Sequence, residues 1–156
     1  MLNSSVTKNL ILLLFALLTI SCSKSINQDD LNGKWHVLID DGEYYEHWVN
    51  DSLSIWLNSY GQIQTWITSL SGNELIYEQR YDRSFNELSS ANFIEKVKLK
   101  DHDNLKITVK PNSNITYRWI RINDEVFQKD FRLIDFDQVL KEFKERQYQY
   151  FKLPNR

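Results

Sequence analysis

Apolar and polar residues alternate along most of the chain from Lys34 onward. Within residues 104–110, for example, Leu105, Ile107 and Val109 alternate with polar residues. A period of two is typical of strands with one buried face and one face in water, as in antiparallel sheets. The pattern and its breaks predict strands at 35–40, 43–49, 53–57, 63–67, 77–81, 92–100, 104–110 and 115–122.

The first hairpin is predicted from a strong turn signal. Asp41-Gly42 favours a two-residue turn, which sets His36 directly opposite His47. This register places three aromatic residues on the other face of the hairpin, namely Trp35, Tyr44 and Trp48.

The second hairpin is predicted from a loop at 59–61 that contains Gly61. A three-residue loop pairs Leu57 with Ile63 and Leu53 with Ile67, so that apolar side chains share one face. Two tryptophans then belong to the opposite face, and we expect them to point outward: Trp56 and Trp66.

The third hairpin repeats this arrangement with a loop at 71–73, which sets Ile67 near Tyr77 and Ile63 near Tyr81. The strands together number about eight, the count at which an up-and-down antiparallel sheet can close into a β-barrel. We therefore expect a mainly β protein.

The end of the chain changes to helical spacing. Apolar positions recur at Phe136, Val139, Leu140 and Phe143, and the spacing continues to Gln147. Asp135 and Gln138 are placed as in a capping box. We predict a C-terminal α-helix across the barrel wall, with four residues facing water: Lys141, Lys144, Glu145 and Arg146.

The start of the chain has the pattern of a secretory signal peptide over 1–21. Lys8 supplies a positive charge, and the apolar run 10–20 follows it. This run is about half the ~20 residues that a membrane-spanning helix needs. We expect a leader rather than a transmembrane helix.

The leader ends in Leu18-Thr19-Ile20-Ser21-Cys22, which resembles the lipobox of bacterial lipoproteins. The resemblance implies a lipid, such as palmitate, on Cys22 and a membrane anchor in the cell envelope. Ser23 replaces the aspartate of the inner-membrane retention signal, which favours the outer membrane. Residues 22–30 would then be a lipidated tether and 31–156 the barrel domain. The alternative is an ordinary cleaved signal followed by an incidental cysteine.

Composition indicates the number of domains and argues against some classes of partner. The chain has 156 residues, of which 42% are hydrophobic, enough for one domain with a real core. Its formal net charge is −2 and no basic cluster stands out, so we expect no nucleic-acid partner. With a single cysteine, Cys22, the chain has no intramolecular disulfide to form.

The first predicted strand opens with Gly33-Lys34-Trp35, which resembles the Gly-x-Trp entry of lipocalins. The resemblance implies a lipocalin-like barrel over most of residues 31–150. It also implies that an arginine of the last strand, Arg118 or Arg121, packs on Trp35 at the closed barrel end. A guanidinium on an indole face is a cation–π contact, and this role is structural.

The chain carries no catalytic signature, so we expect no enzyme and no cofactor. It lacks a nucleophile elbow, a phosphate loop and a zinc-helix motif. Two weaker patterns are the His36/His47 pair, whose imidazoles could share a metal, and the carboxylates Glu43 and Glu46 near the first turn. We expect neither to form a site.

Aromatic residues are the most suggestive group. An aromatic cavity would suit a small apolar or amphipathic ligand, although small barrels also fill their interiors with such residues. The candidate ligand-binding residues are Trp35, Tyr44, Trp48, Tyr77, Tyr81, Tyr117 and Trp119. The alternative function is an envelope interaction or inhibitor module with a filled core, which would bind a protein partner through Trp56 and Trp66.

Overall fold

The chain folds as a closed antiparallel barrel of eight strands with a C-terminal helix, as the sequence pattern predicts. The computed structural model describes residues 25–82, 86–110, 115–123, 125 and 133–152. The predicted signal peptide and Cys22 lie outside these residues. No described helix has the length and apolar character needed to cross a membrane.

The strands follow one another around the barrel in sequence order. A short helix, α1 (Gln28–Leu31), precedes the first strand, and the second helix, α2 (Phe136–Lys152), follows the last. The strands are β1 (Gly33–Leu38), β2 (Tyr45–Val49), β3 (Leu53–Leu57), β4 (Ile63–Ser71), β5 (Glu74–Tyr81), β6 (Glu87–Asp101), β7 (Asn104–Lys110) and β8 (Thr116–Asn123).

The barrel closes between β1 and β8, where Trp35 pairs with Arg121 and Val37 with Trp119. Side chains alternate between the interior and the outer wall along every strand. The main interior cluster contains Trp35, Val37, Tyr77, Tyr117 and Trp119, together with smaller apolar residues.

One end of the barrel is plugged by the segment before β1. Ile26 and Leu31 are buried in the interior cluster. Asn27 caps α1, since its side chain accepts from the Asp30 backbone N–H while the Asp30 carboxylate accepts from the Asn27 N–H. The expected tether over 22–30 therefore does not extend through residues 26–30, because the apolar residues at 26 and 31 bury themselves in the barrel.

Arg121 supplies the guanidinium that packs on Trp35 in the plugged end, 4.0 Å from its ring centroid. The Trp35 indole N–H donates to the Leu31 carbonyl at 2.8 Å. Arg118, the other candidate partner, is exposed. The expected Trp35–arginine contact is thus present, made by the second arginine.

The first hairpin differs from the prediction by one residue. Val37 pairs with Tyr45 and Trp35 with His47, which is one residue away from the predicted register. The connection between the two strands spans residues 39–44, with Gly42 at a φ of 78°. A one-residue slip exchanges the two faces of a strand. His36 and His47 therefore point to opposite faces.

The second hairpin has the predicted register, with Leu57 opposite Ile63 and Leu53 opposite Ile67. In the third hairpin Ser71 pairs with Glu74, so the loop has two residues and Thr68 rather than Ile67 lies opposite Tyr77. An irregularity between Ile67 and Thr68 then shifts the pairing again, and Thr65 rather than Ile63 lies opposite Tyr81. Such a bulge reverses the facing of side chains that follow it.

The outer wall of β2 to β4 is apolar, and α2 covers it. Val139 and Phe143 are the buried residues of α2 and pack with residues from the outer wall, namely Tyr44, Trp48, Ile55, Leu57 and Ile63. Asp135 caps α2 by accepting from the backbone N–H groups of Asp137 and Gln138.

Candidate functional site

The structure brings together part of the predicted aromatic set. Trp35, Tyr77, Tyr117 and Trp119 lie in the barrel interior. Tyr44 and Trp48 were expected on the same face as Trp35, but they lie on the outer wall beneath α2. The expectation is wrong for these two residues because of the one-residue difference in the first hairpin.

The seventh candidate, Tyr81, also lies away from the interior cavity. It pairs with Thr65, whereas the neighbouring pair Arg80–Trp66 faces inward. Conversely, Trp56 and Trp66 were expected on the outer wall but belong to the barrel interior. The pair that the alternative function expects as a protein contact is therefore not on the outer wall.

A cavity of about 400 Å³ occupies the half of the barrel away from the plug. This volume is within the range of small-molecule sites, about 300–1,000 Å³. Its lining is aromatic apart from an amide and a carboxyl group: Trp56, Gln64, Trp66, Tyr77, Phe93, Glu95 and Tyr117. The barrel interior is thus packed at the plugged end and hollow in the other half.

Exposure decreases from one side of the cavity to the other. Trp56, Gln64, Trp66 and Phe93 are half-buried. Tyr77, Glu95 and Tyr117 are buried, and Glu95 is only 1% exposed. The cavity therefore has an accessible aromatic rim and a polar floor.

Glu95 is the chemical centre of that floor. The Tyr77 hydroxyl donates to its carboxylate at 2.6 Å, and the Tyr117 hydroxyl donates to the other carboxylate oxygen. Burial raises the pKa of Glu95 to about 8, against the stabilising effect of the Tyr77 hydrogen bond on the anion. Burial, followed by the adjacent Glu95 charge, raises the pKa of Tyr77 well above its usual value, so Tyr77 remains a donor.

His47 lies beneath the cavity, surrounded by rings. Its imidazole stacks on Tyr77 with centroids 5.8 Å apart and meets Trp119 edge-on at 4.4 Å. Neither ring nitrogen has a hydrogen-bond partner among the described residues. Burial lowers the pKa of His47 to about 3, so this imidazole is neutral at physiological pH.

The carboxylate Glu46 belongs to a different, outer-wall cluster. It is fully buried and accepts from Arg146 Nε at 2.8 Å, from the Tyr44 hydroxyl at 2.6 Å and from the Trp48 indole at 2.6 Å. Arg146 was expected to face water, but it reaches back to this buried acceptor. Tyr44 and Trp48 thus hold α2 on the barrel.

The two weaker chemical patterns are not assembled. His36 and His47 lie on opposite faces of the barrel wall, so they cannot share a metal. Across the described part of the chain, no group of three metal-ligating side chains converges. Glu46 is occupied by Arg146, while Glu43 lies in the loop before β2.

The sequence did not predict that four residues line a common cavity: Trp56, Trp66, Phe93 and Glu95. The available signal was in β6, where Glu95 lies between Phe93 and Val97 on the inward-facing positions. A carboxylate on an otherwise apolar strand face is expensive to bury, and such groups cluster at functional sites.

Comparison with known proteins adds no assignment, because no family model, curated protein or solved structure matches the chain. The site must be interpreted from its own geometry.

Proposed function

We propose that this protein is a non-catalytic binding protein for a small apolar or amphipathic ligand held in the barrel. The observation that carries the proposal is the cavity of about 400 Å³ with an aromatic lining. Apolar pockets with a few placed polar groups are the usual form of small-molecule sites. The chain's own Glu95, Tyr77 and Tyr117 supply those polar groups here.

The rings also explain how such a ligand would be held. Trp56, Trp66 and Phe93 offer large apolar faces at the accessible side of the cavity. Burying ligand surface against them contributes roughly 25 cal/mol per Å² of apolar area. The hydrogen-bonded floor would fix the orientation of a polar end.

Native mass spectrometry of the full chain, purified from its producing cells without denaturation, tests this function. We expect a reproducible additional mass that is lost on unfolding. The matched variants are Trp66→Leu, inside the cavity, and Trp48→Leu, on the outer wall. The additional mass should decrease with the first and persist with the second. A mass equal to that of the bare chain in every preparation would argue against the proposal.

We also propose that the barrel is attached to a membrane of the cell envelope through a lipid on Cys22. The support is the lipobox-like sequence that ends at this cysteine. Metabolic labelling with an alkyne analogue of palmitate should mark the chain, and Cys22→Ser should abolish the label. Labelling that survives in Cys22→Ser would contradict the anchor.

A further inference from the structure

The floor of the cavity holds a carboxyl group that has no cationic partner among the described residues. Glu95 is buried, and its partners are two phenol hydroxyls, from Tyr77 and Tyr117. A carboxylate has about four acceptor positions on its two oxygens. Two hydrogen bonds therefore leave it with unused acceptor capacity in an aromatic setting.

No cation among the residues that the structure describes neutralises this group. None of the ion pairs between described residues includes Glu95. The guanidinium of Arg80 lies over the ring of Trp66, 5.7 Å from its centroid. His47, which stacks on Tyr77, is neutral because burial lowers its pKa to about 3. A buried carboxylate without a cation is costly, and the cost falls when a counter-charge is supplied.

The rings around Glu95 favour the same type of partner. Trp56, Trp66, Tyr77, Phe93 and Tyr117 line one cavity with the carboxyl group. The face of an aromatic ring carries partial negative charge, so several rings around one site attract organic cations. Ring faces and a carboxylate together disfavour an anionic headgroup.

Building on the binding function proposed above, we infer that the ligand carries an organic cation, an amine or a quaternary ammonium. Its charged end faces Glu95, and its apolar part lies against Trp56, Trp66 and Phe93. The chain supplies the negative charge and the ring faces, and the ligand supplies the missing positive charge. A neutral apolar ligand would fill the cavity but supply no counter-charge, so the carboxyl group would keep its proton.

Proton exchange accompanies binding in this arrangement. The Tyr77 and Tyr117 phenols contact Glu95 directly. The other titratable groups near the cavity are neutral His47, which stacks on Tyr77, and Arg80, which lies over the Trp66 ring. Since burial raises the pKa of Glu95 to about 8, the acid is mostly protonated at neutral pH. The ammonium enters, the Glu95 proton leaves to solvent, and the site keeps its net charge. Affinity for the cation should therefore rise with pH up to about 8 and then level off.

A charge series on one hydrocarbon chain tests the inference. Hexyltrimethylammonium, hexanol and hexanoate share a hexyl chain and differ in charge. Their binding to the full chain is measured by titration calorimetry and tryptophan fluorescence at about pH 9. We expect the cation to bind at least about tenfold more tightly than hexanol, because a desolvated cation among ring faces gains substantially. Hexanoate should bind most weakly.

Two variants distinguish the effect of the Glu95 carboxyl group on cation binding from the effect of the overall charge of the protein. Glu95→Gln preserves shape and should remove the preference for the cation while hexanol still binds. Glu78→Gln changes an exposed glutamate on β5 and should retain the preference. Removing the rim cation with Arg80→Gln should tighten binding of hexyltrimethylammonium, because a like charge near the site is lost.

Calorimetry in buffers of different ionisation enthalpy provides a second readout that needs no variant. Wild-type protein should release close to one proton per bound cation at pH 7 and almost none when hexanol binds. If hexanol binds at least as tightly as hexyltrimethylammonium, the cation inference fails while the binding function stands. If none of the three probes binds and native spectra show only the bare chain, both fail.

Discussion

The Arg121 guanidinium lies on the Trp35 ring and donates to the carbonyls of Asn32, Asp30 and His102 at 2.7, 2.8 and 3.0 Å. A single side chain thus joins the segment before β1, the β6–β7 turn and the first strand. The planar fork of arginine suits this task, since its five N–H groups point in fixed directions.

Replacing Arg121 should therefore destabilise the plugged end. We expect Arg121→Leu to lower the free energy of unfolding by about 2–4 kcal/mol, because acceptor groups lose their donor and the ring loses its cation contact. Urea denaturation followed by tryptophan fluorescence measures the change. The control is Arg118→Leu, at an exposed arginine of the same strand, which should stay within about 0.5 kcal/mol of wild type. Equal losses in the two variants would contradict the role of Arg121.

The attachment of α2 depends on a buried ion pair. Arg146→Met should cost about 3–5 kcal/mol, since the fully buried Glu46 carboxylate would lose its counter-charge. Hydrogen exchange should then accelerate in α2 before it accelerates in β6 and β7. Lys144→Met, an exposed position on the same helix, serves as the control and should leave both quantities near their wild-type values.

Stability should depend on pH through Glu95 in a way that is unusual for a carboxylate. Its pKa is about 8 when folded and 4.5 in the reference state, so the folded chain binds the proton more tightly. The associated stability is present below pH 4.5 and is lost as pH rises through about 8. The loss over the whole of this range is on the order of 5 kcal/mol. Glu95→Gln should flatten this decline in urea-unfolding measurements between about pH 6.5 and 8.

His47 has the opposite dependence. Its pKa is lowered from 6.5 to about 3, so the stability that it contributes is present above pH 6.5 and is lost as pH falls through about 3. Between about pH 4.5 and 6.5 the opposite pH dependences of Glu95 and His47 offset each other. The combined contribution of the two groups to the stability of the fold is therefore greatest in this range. The free energy of unfolding is measured against pH for wild type and for His47→Phe. The difference between the two curves isolates the loss of stability at acid pH that is due to His47. A curve without slope between pH 3 and 6.5 would contradict a neutral, buried imidazole.

Substituting a tryptophan inside the barrel should affect mainly ligand binding, whereas substituting one on the outer wall should affect mainly stability. Trp66→Leu should weaken capture of a cavity ligand by about tenfold with a small cost in stability, because its ring is half-buried in the cavity lining. Trp48→Leu should lower stability by about 2–3 kcal/mol, since the indole is buried and donates to Glu46. Paired ligand titrations and urea curves distinguish the two outcomes.

The strand pattern was sufficient to predict the barrel, because period-two alternation and glycine-containing turns leave few other arrangements. It could not predict which face of β3 and β4 points inward. Leu53 and Ile55 are apolar on one face, while Trp56 and Trp66 are aromatic on the other. Both faces are buried, one by the barrel and one by α2, so hydrophobicity alone does not identify the interior.

The candidate site was harder to predict, because it depends on registers. A one-residue change in the register of β1 and β2 moves Tyr44 and Trp48 from the predicted interior to the outer wall. Glu95 was predictable in principle from its place between Phe93 and Val97. Its hydrogen bonds with Tyr77 and Tyr117, however, depend on the register of β5 and β6 and on the curvature that brings β6 close to β8 across the interior.

The segment that plugs the barrel, residues 26–31, also determines at which end of the barrel the N-terminal part of the chain enters. The chain enters at the β1 end, whereas Trp56, Gln64 and Tyr117 lie next to the strand ends on the opposite side. If residues before 25 are fixed to a surface, the plugged end of the barrel faces that surface. The end that contains the cavity then faces the solvent. Tension on the N terminus would load the Ile26–Asn73 hydrogen bond and the buried Leu31 before it reached the cavity.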